Sequence, residues 1–479
     1  MSDPFAPFKV DVAIESQRAF STRQIHSGAK PDPTTKARAV PIYATASYVF
    51  TDSEHARRVC SNEEAGYVYS RISNPTVEVL EKRVAALEGG SAAVACASGQ
   101  AAVFQTVLSL AHTGDNVVSS TNVYGGTYSL FKSVLPRIGI TVKWIHDDDP
   151  DSYRRLINDR TKLIFVETVG NPRVSIPDIT AIANIAHEHG LPLVVDNTFG
   201  AGGFWCPVIE HGVDIVIHSA TKWLGGHGTT VGGVIVDSGR FDWTASGRFP
   251  HLTKKSDGPM DFSYASAFGN CAFALALRIE VVMEVGGVMN PFAAHQILLG
   301  IETLSLRCER IASNALQIAQ FLSDHPLVSW VSYPGLPGDK YHARAIKYLR
   351  RGFGGVLAFG VKGGNVGSCA FVDALKLVSY MTKYVSSSPR LLRLGKITER
   401  LPLVSVGDCK TMATHPWSST HSIMSEQDRL DAGVTEDLIR LSVGTEAIED
   451  IIDDLSGAFN AIPPDTLSTM DGTVNGVGH

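Results

Sequence analysis

A lone lysine, Lys222, stands among small hydroxyl residues directly after the apolar run Ile215, Val216 and Ile217, which reads as a buried strand. Desolvating an ammonium is costly, so such a lysine is expected to titrate low and to become nucleophilic. A Schiff-base lysine needs that property. Ser219 and Thr221 flank it with hydroxyls able to bond a phosphate, and the glycines that follow let the backbone come close. In isolation the same lysine reads as an exposed, solvated side chain in a strand-to-loop connection. The run Gly225-Gly-His-Gly-Thr-Thr also lacks the terminal Gly-Lys-Ser/Thr of a phosphate-binding loop. The rest of the chain has to decide.

Other chemistry-bearing residues recur at the ends of apolar runs. Leu163-Ile-Phe-Val-Glu closes on Glu167, with Asn171 shortly after, and Leu191-Pro-Leu-Val-Val-Asp closes on Asp196. A carboxylate there is expensive unless a cation meets it. The protonated nitrogen of a pyridoxal ring is such a cation, and holding that proton turns the ring into an electron sink. An aspartate opening the next helix is the plainer use of the same residue. Ser98-Gly-Gln-Ala-Ala turns a small-residue strand into a helix, whose first N–H groups, at Gly99 and Gln100, would cradle a phosphate. Tyr124, before Gly125-Gly-Thr, lies where open α/β sheets bind ligands and could stack on a flat ring; as a lone aromatic it reads as core. Tyr69 and Arg71 alternate in what reads as an extended segment, giving a hydroxyl donor and an anion fork that face the same way. Arg440, between apolar neighbours in Leu438-Ile-Arg-Leu-Ser, reads as a buried arginine whose planar fork suits a carboxylate.

Strand and helix must alternate to position these groups, which predicts a mostly parallel sheet. Residues 1 to 75 read as an irregular arm rich in turn formers. Thr76 looks like the N-cap of a helix through Val77, Leu80, Val84 and Leu87 that ends at Gly89-Gly90. A further helix is expected from about Ile176 to His189. From about Asn290 the pattern changes, with a long amphipathic helix beginning near Leu299 and a strand over Gly354–Val361. The tail after Pro463 is Gly-, Ser- and Thr-rich and is expected to be disordered.

Composition narrows the function classes. The chain has 479 residues, 44% of them hydrophobic and 19% charged, enough for two or three domains with large cores. A net charge of −6 gives no electrostatic reason to expect nucleic acid or an anionic membrane. Seven scattered cysteines without a Cys-x-x-Cys pair suggest thiols in a reducing compartment, with neither a disulfide framework nor a zinc site. No signal peptide and no uninterrupted apolar stretch long enough to span a bilayer is read, so a cytoplasmic protein is expected. No Gly-x-Gly-x-x-Gly follows an early strand, which excludes a nicotinamide dehydrogenase. The intact Lys222, Asp196 and Arg440 speak against a catalytically dead scaffold.

A phosphate cradle, a stacking tyrosine, an acid for a ring nitrogen and a lysine flanked by hydroxyls, all at successive strand ends, together describe a pyridoxal-phosphate site. Here the chain resembles the Cys/Met-metabolism family of pyridoxal-phosphate enzymes, and within it the O-acetylhomoserine sulfhydrylases. The resemblance runs over about residues 21 to 460. It is carried by Tyr-Ser-Arg-Ile-Ser-Asn-Pro-Thr, Ala-Ser-Gly-Gln-Ala-Ala, Glu-Thr-Val-Gly-Asn-Pro, Val-Val-Asp-Asn-Thr-Phe-Gly-Ala-Gly-Gly and His-Ser-Ala-Thr-Lys-Trp-Leu-Gly-Gly-His-Gly-Thr-Thr. It implies the α/β architecture called fold type I, with a mostly parallel seven-stranded sheet in the large domain and a smaller C-terminal α/β domain. The implied domains are an arm over 1–75 that serves the neighbouring subunit's site, a cofactor domain over 76–289 and a C-terminal domain over 290–479. It further implies that Lys222 binds the cofactor and shuttles protons, that Asp196 pairs with the ring nitrogen, and that Tyr124 stacks on the ring. Gly99, Gln100, Ser219 and Thr221 would bind phosphate, with Thr198 and Glu167 also in the cofactor site. Tyr69 and Arg71 would reach the phosphate of a neighbouring subunit, in a homodimer or homotetramer. Asn171 would lie near the ring's 3-hydroxyl or the substrate carboxylate, and Arg440 with Ser405 would bind that carboxylate.

The implied reaction replaces the γ-acyloxy group of an O-acyl-L-homoserine, with O-acetyl expected and sulfide the default nucleophile. A carbon nucleophile such as a β-keto acid enolate is the variant, and a γ-lyase the alternative. Three departures from the family bear on this. The run Tyr124-Gly-Gly-Thr has glycine where methionine γ-lyases place a cysteine. Ser256-Asp-Gly-Pro-Met-Asp-Phe-Ser-Tyr264 replaces a Gly-Tyr-His-Gly run that borders the substrate entrance in sulfhydrylases. A basic insertion occupies about Thr382–Arg400, just before Ser405.

Overall fold

Apolar, β-branched runs set the frame. The computed structural model describes residues 8–61, 63–170, 174–255, 262–380, 405–419, 426–431 and 433–468. Its contacts divide the chain into two compact units. One comprises Met1–Gly170, Ile176–Cys308 and Ile346–Arg351; the other comprises Asn171–Ser175, Glu309–Ala345 and Gly352–His479.

The first unit holds β1 (Ala92–Cys96), β2 (Asn116–Ser120), β3 (Thr141–Ile145), β4 (Thr161–Glu167), β5 (Leu193–Asp196), β6 (Ile215–Ser219) and β7 (Gly233–Asp237). They form one seven-stranded sheet in the order β1-β7-β6-β5-β4-β2-β3. Neighbours from β3 through β6 pair in parallel, and β7 pairs antiparallel with both β6 and β1. The mostly parallel α/β sheet expected from the sequence is therefore the one found. Ile215, Val216 and Ile217 are all fully buried, so both faces of β6 are covered. Each such side chain contributes roughly 1.5–3 kcal/mol by leaving water.

The helix Pro75–Glu88 forms where expected, but its cap is Asn74 rather than Thr76. Asn74 Oδ1 accepts the Thr76 N–H at 3.0 Å, and Pro75 fills the first helical position, where its missing N–H costs nothing. Thr76 instead donates its hydroxyl to the Pro41 carbonyl at 2.7 Å. Gly89, at φ +81°, ends the helix. The arm is also less irregular than expected, carrying short helices at Val12–Ser16, Phe20–His26 and Ser53–Cys60.

One helical run, though interrupted by Arg278, Glu280 and Glu284, is long enough to cross a bilayer. Tyr264–Val285, 22 residues with mean hydropathy 1.4, is long and apolar enough by length and composition. It lies in the core of this unit, with Phe273 and Leu277 fully buried. Its Arg278 donates to Glu81 at 2.7 Å and to the Ile72 carbonyl at 2.8 Å. Hydropathy here reflects a core helix.

Asp237, at the end of β7, is buried and accepts the N–H groups of Gly239 and Ala274. Burial raises its carboxyl from 3.8 to about 7. The folded state therefore holds this proton more tightly than the unfolded chain. The associated stability is complete below about pH 3.8 and is lost as pH rises through about 7. The gap between the two values caps the loss at roughly 4 kcal/mol. The thermal midpoint of the protein is expected to fall between about pH 5.5 and about pH 8, and to fall less in Asp237→Asn, because the amide does not titrate. Equal slopes in the two proteins would show that Asp237 contributes nothing to the pH dependence.

In the second unit, β8 (Val328–Ser332), β9 (Val356–Val361), β10 (Ser379–Tyr380), β11 (Met412–Thr414) and β12 (Leu438–Ser442) form a sheet in the order β10-β11-β12-β9-β8. Only β10 and β11 pair in parallel. Phe359, Phe371, Leu441, Leu455 and Phe459 build its core. The expected helix from Leu299 is in fact two: Leu299 falls inside Pro291–Glu302, and Thr303 separates it from Leu304–Asp324. Asp465–Ser468 is helical, which corrects the expectation of disorder directly after Pro463.

Candidate active site

Strands β1, β2, β4, β5 and β6 all point the same way, so their carboxyl ends share one edge. Ligands bind outside that edge in open α/β sheets. The sequence-predicted residues of the first unit follow these ends. β1 leads into the helix Gly99–Leu110, β2 into Tyr124, β4 ends at Glu167, β5 at Asp196, and β6 runs through Ser219 toward Thr221 and Lys222.

The helix start after β1 is built for an anion. Ser98 is its N-cap, with the side-chain oxygen accepting the Ala101 N–H at 3.0 Å. The first intrahelical bond is made by Ala102 to the Ser98 carbonyl, so the N–H groups of Gly99 and Gln100 precede the ladder and face outward with the positive end of the helix dipole. A Cβ on Gly99 would lie 2.7 Å from the Cβ of Ser219, so only glycine lets helix start and strand end meet here. The Gln100 carboxamide oxygen is buried and, among the described residues, accepts no hydrogen bond.

Lys222 sits on a backbone held from several sides. Its N–H donates to the Ser219 carbonyl at 3.1 Å, and its carbonyl accepts from Gly226 at 2.7 Å. The Thr221 hydroxyl accepts the Gly232 N–H at 3.0 Å. Arg307, 7% exposed, donates to the Trp223 carbonyl at 2.9 Å and the Gly300 carbonyl at 2.6 Å. Gly300 packs so close to the Gly225 carbonyl that a Cβ would overlap it. The sequence reading missed this clamp; its signal was a charged residue on the apolar face of a helix.

Asp196 is anchored by Thr198, whose N–H and hydroxyl donate to Oδ1 at 3.0 and 2.6 Å. The same hydroxyl accepts the Ser219 N–H at 2.8 Å, tying the ends of β5 and β6 together. Burial raises the Asp196 carboxyl above its ordinary value, against the lowering effects of Thr198 and the nearby His218. Glu167 is register partner to Asp196 and accepts the Tyr124 N–H at 2.6 Å. Burial first, and Asp196 second, push the Glu167 carboxyl well above the usual range. A buried network without any local sequence signature lies beside them. His218 bonds Glu88 at 2.6 Å, Asn197 donates to the same Glu88 oxygen at 2.9 Å, and Thr168 donates to Asn197 at 2.6 Å.

Tyr69 and Arg71 do come together, but only Tyr69 is extended, bridged antiparallel to Ser47, and the chain turns directly after it. The Tyr69 carbonyl accepts the N–H groups of Ile72 and Ser73, closing a turn that brings the Arg71 guanidinium 5.6 Å from the centre of the Tyr69 ring. Both side chains are exposed. In the second unit Arg440 lies on β12, 6% exposed, opposite Ala358 of β9 and Thr414 of β11. Ser405 is half-buried two residues before Gly407, whose N–H donates to the Ser442 hydroxyl at 3.1 Å, so the Ser405 segment is tied to the Arg440 strand. Asn171, residues 256–261 of the altered loop, and the insertion Thr382–Arg400 lie outside the described residues.

An anion cradle, a carboxylate suited to a cationic ring nitrogen, and a lysine on a braced loop fit pyridoxal phosphate, and with this sheet they define a pyridoxal-phosphate enzyme of the α/β class. The chain belongs to the Cys/Met metabolism PLP-dependent enzyme family, whose model matches residues 21–387 and 393–460. The unmatched residues 388–392 fall inside the stretch singled out above as an insertion. The chain is 50% identical over 441 residues to the sulfhydrylase FUB7 of Fusarium oxysporum f. sp. lycopersici, covering 92% of this chain and 97% of that protein. It is 49% identical over 447 residues to the homocysteine synthase of Schizosaccharomyces pombe, covering 93% and 99%. A crystal structure of a putative O-acetylhomoserine (thiol)-lyase from Campylobacter jejuni, containing N'-pyridoxyl-lysine-5'-monophosphate, superposes with a TM-score of 0.84 at 32% identity, covering 92% of this chain and all of that one.

Proposed function

We propose that this chain replaces the γ-acyloxy group of O-acetyl-L-homoserine with sulfide, giving homocysteine and acetate. The observation that carries this reading is the convergence of Lys222, Asp196 and the Gly99–Gln100 helix start on one sheet edge, in a chain 49% identical to a homocysteine synthase. Bound pyridoxal phosphate supplies an electron sink for carbanionic charge. The Lys222 amine would hold the cofactor covalently and, when freed by the substrate amine, would take the Cα proton, pass it on, and then take a Cβ proton, so that the γ-acyloxy group can leave as acetate and the nucleophile can add at Cγ. Asp196, oriented by Thr198, keeps a proton on the ring nitrogen. Tyr124 would stack on the ring, with Glu167 holding its backbone N–H. The N–H groups of Gly99 and Gln100, with the hydroxyls of Ser219 and Thr221, bind the phosphate.

Tyr69 and Arg71, exposed on their turn, reach the phosphate of a neighbouring subunit in a homodimer or homotetramer. Arg440, with Ser405, takes the α-carboxylate of the substrate, and Asn171 lies beside the ring's 3-hydroxyl or that carboxylate. The working domains are the arm over 1–75, the cofactor domain over 76–289 and the C-terminal domain from 290, in a cytoplasmic enzyme.

A carbon nucleophile is the second reading, favoured by the replacement of the Gly-Tyr-His-Gly run with Ser256–Tyr264. The test offers O-acetyl-L-homoserine with sulfide or with a panel of β-keto acids and identifies the amino-acid product by mass spectrometry. Homocysteine is the expected dominant product. A carbon-chain adduct with little homocysteine moves the assignment to C–C bond formation. A 2-oxo acid alone in every case replaces substitution with γ-elimination.

A further inference from the structure

We propose that Glu167 is a positioning residue for this reaction: its carboxyl group fixes the backbone of Tyr124 beneath the cofactor and leaves the negative charge of the Glu167–Asp196 pair on Asp196. The inference rests on the roles proposed above for Asp196 and Tyr124. Its geometric basis is independent of them. Glu167 and Asp196 are register partners at the ends of the parallel strands β4 and β5, so their side chains leave the same face of the sheet side by side. Glu167 is 8% exposed, and its Oε1 accepts the Tyr124 N–H at 2.6 Å. Tyr124 begins the helix Gly125–Ser129, and its backbone at φ −51°, ψ 135° aims the ring from the end of that helix. The Glu167 bond therefore sets where the ring starts.

The two carboxyl groups are not equivalent. Asp196 Oδ1 accepts both the N–H and the hydroxyl of Thr198, which favours its charged form. Glu167 accepts the backbone N–H of Tyr124. The titratable group acting on Glu167 is Asp196, and the one acting on Asp196 is His218. Two buried carboxylates side by side do not both ionise readily, and here burial and Asp196 both hold the proton on Glu167. A neutral Glu167 keeps a carbonyl acceptor for Tyr124 without competing with Asp196 for the cationic ring nitrogen.

Three variants test this, with pyridoxal phosphate as the ligand and two readouts besides turnover: cofactor dissociation, and the pH midpoint of the cofactor's visible band. Glu167→Gln keeps a neutral acceptor and is expected to hold the wild-type midpoint and to bind cofactor within about twofold. Glu167→Ala removes the acceptor and is expected to release cofactor about tenfold more readily. If Glu167→Gln lost cofactor as Glu167→Ala does, or moved the midpoint by about one unit, a charged Glu167 would be required and the inference would be wrong. Wild-type cofactor binding in Glu167→Ala would remove the positioning role. Should Glu167→Ala fail to fold, the midpoint of Glu167→Gln decides alone. Asp196→Asn separates the two layers: if it altered neither readout, the proposed role of Asp196 itself would fall, whatever the Glu167 variants do.

Discussion

Alanine in place of Lys222 is expected to lower turnover with O-acetyl-L-homoserine by about 10²- to 10⁴-fold, the contribution of a positioned proton-transfer group. The fold should survive the change, because the loop that carries the lysine is held by its backbone. The Ser219 carbonyl, the Gly226 N–H, the Thr221–Gly232 bond and the Arg307 clamp on Trp223 and Gly300 are all untouched by truncating the side chain. The loss therefore isolates the amine. Two further readings make the result specific. The visible band of lysine-bound cofactor should disappear while phosphate-anchored cofactor still binds, more weakly. A small primary amine added to the assay should return part of the activity. Lys222→Arg should not rescue it, since a guanidinium keeps its proton and cannot act as a nucleophile or a base. Wild-type turnover in Lys222→Ala would end the assignment of this residue.

What could be read from the chain without its structure was whatever is local. A run of β-branched residues closed by a lysine or a carboxylate announces both the strand and the group it delivers. Hence β4, β5 and β6 were legible together with Glu167, Asp196 and Lys222. Ser98-Gly99-Gln100 was legible because a capping residue and a glycine precede an apolar helix. The errors fall where two local rules compete. Asn74 and Thr76 are both cap residues, and the proline between them decides in favour of Asn74. Alternation suggested that Tyr69 and Arg71 were both extended; Tyr69 is, paired with Ser47, but its carbonyl closes a turn that takes Arg71 out of the strand. The residues that were invisible are joined only in three dimensions. Glu88 and His218 lie 130 positions apart and meet as a buried pair, and Arg307 reaches back 84 positions to the Trp223 carbonyl. Neither pairing leaves a periodic trace. The tendency of Glu167 to keep its proton was hidden for the same reason, since it depends on which strand lies next to β4.

Asp196→Ala is expected to lower turnover by about 10²- to 10³-fold, the scale of removing one preorganised electrostatic group from a buried site. Asp196→Asn should fall nearly as far, and comparing the two separates charge from shape. The amide still offers Thr198 an acceptor, so the ends of β5 and β6 stay tied through the Thr198–Ser219 bond. What asparagine lacks is the charge that holds a proton on the ring nitrogen. Asp196→Asn should therefore retain folded protein, bind cofactor more weakly and lose proton abstraction at Cα, seen as slowed exchange of the substrate's Cα hydrogen in deuterated water. Asp196→Ala also takes the acceptor from Thr198 and should weaken cofactor binding further. Burial alone drives the Asp196 carboxyl toward its neutral form, and only Thr198 and His218 oppose that in the protein itself. In the proposed role the ring nitrogen would supply the counter-charge, so the cofactor and the charged state of Asp196 would stabilise each other. By linkage, cofactor should bind wild type more weakly as falling pH protonates Asp196, and this dependence should be lost in Asp196→Asn. The same pH profile in both proteins would place the proton that matters on some group other than Asp196.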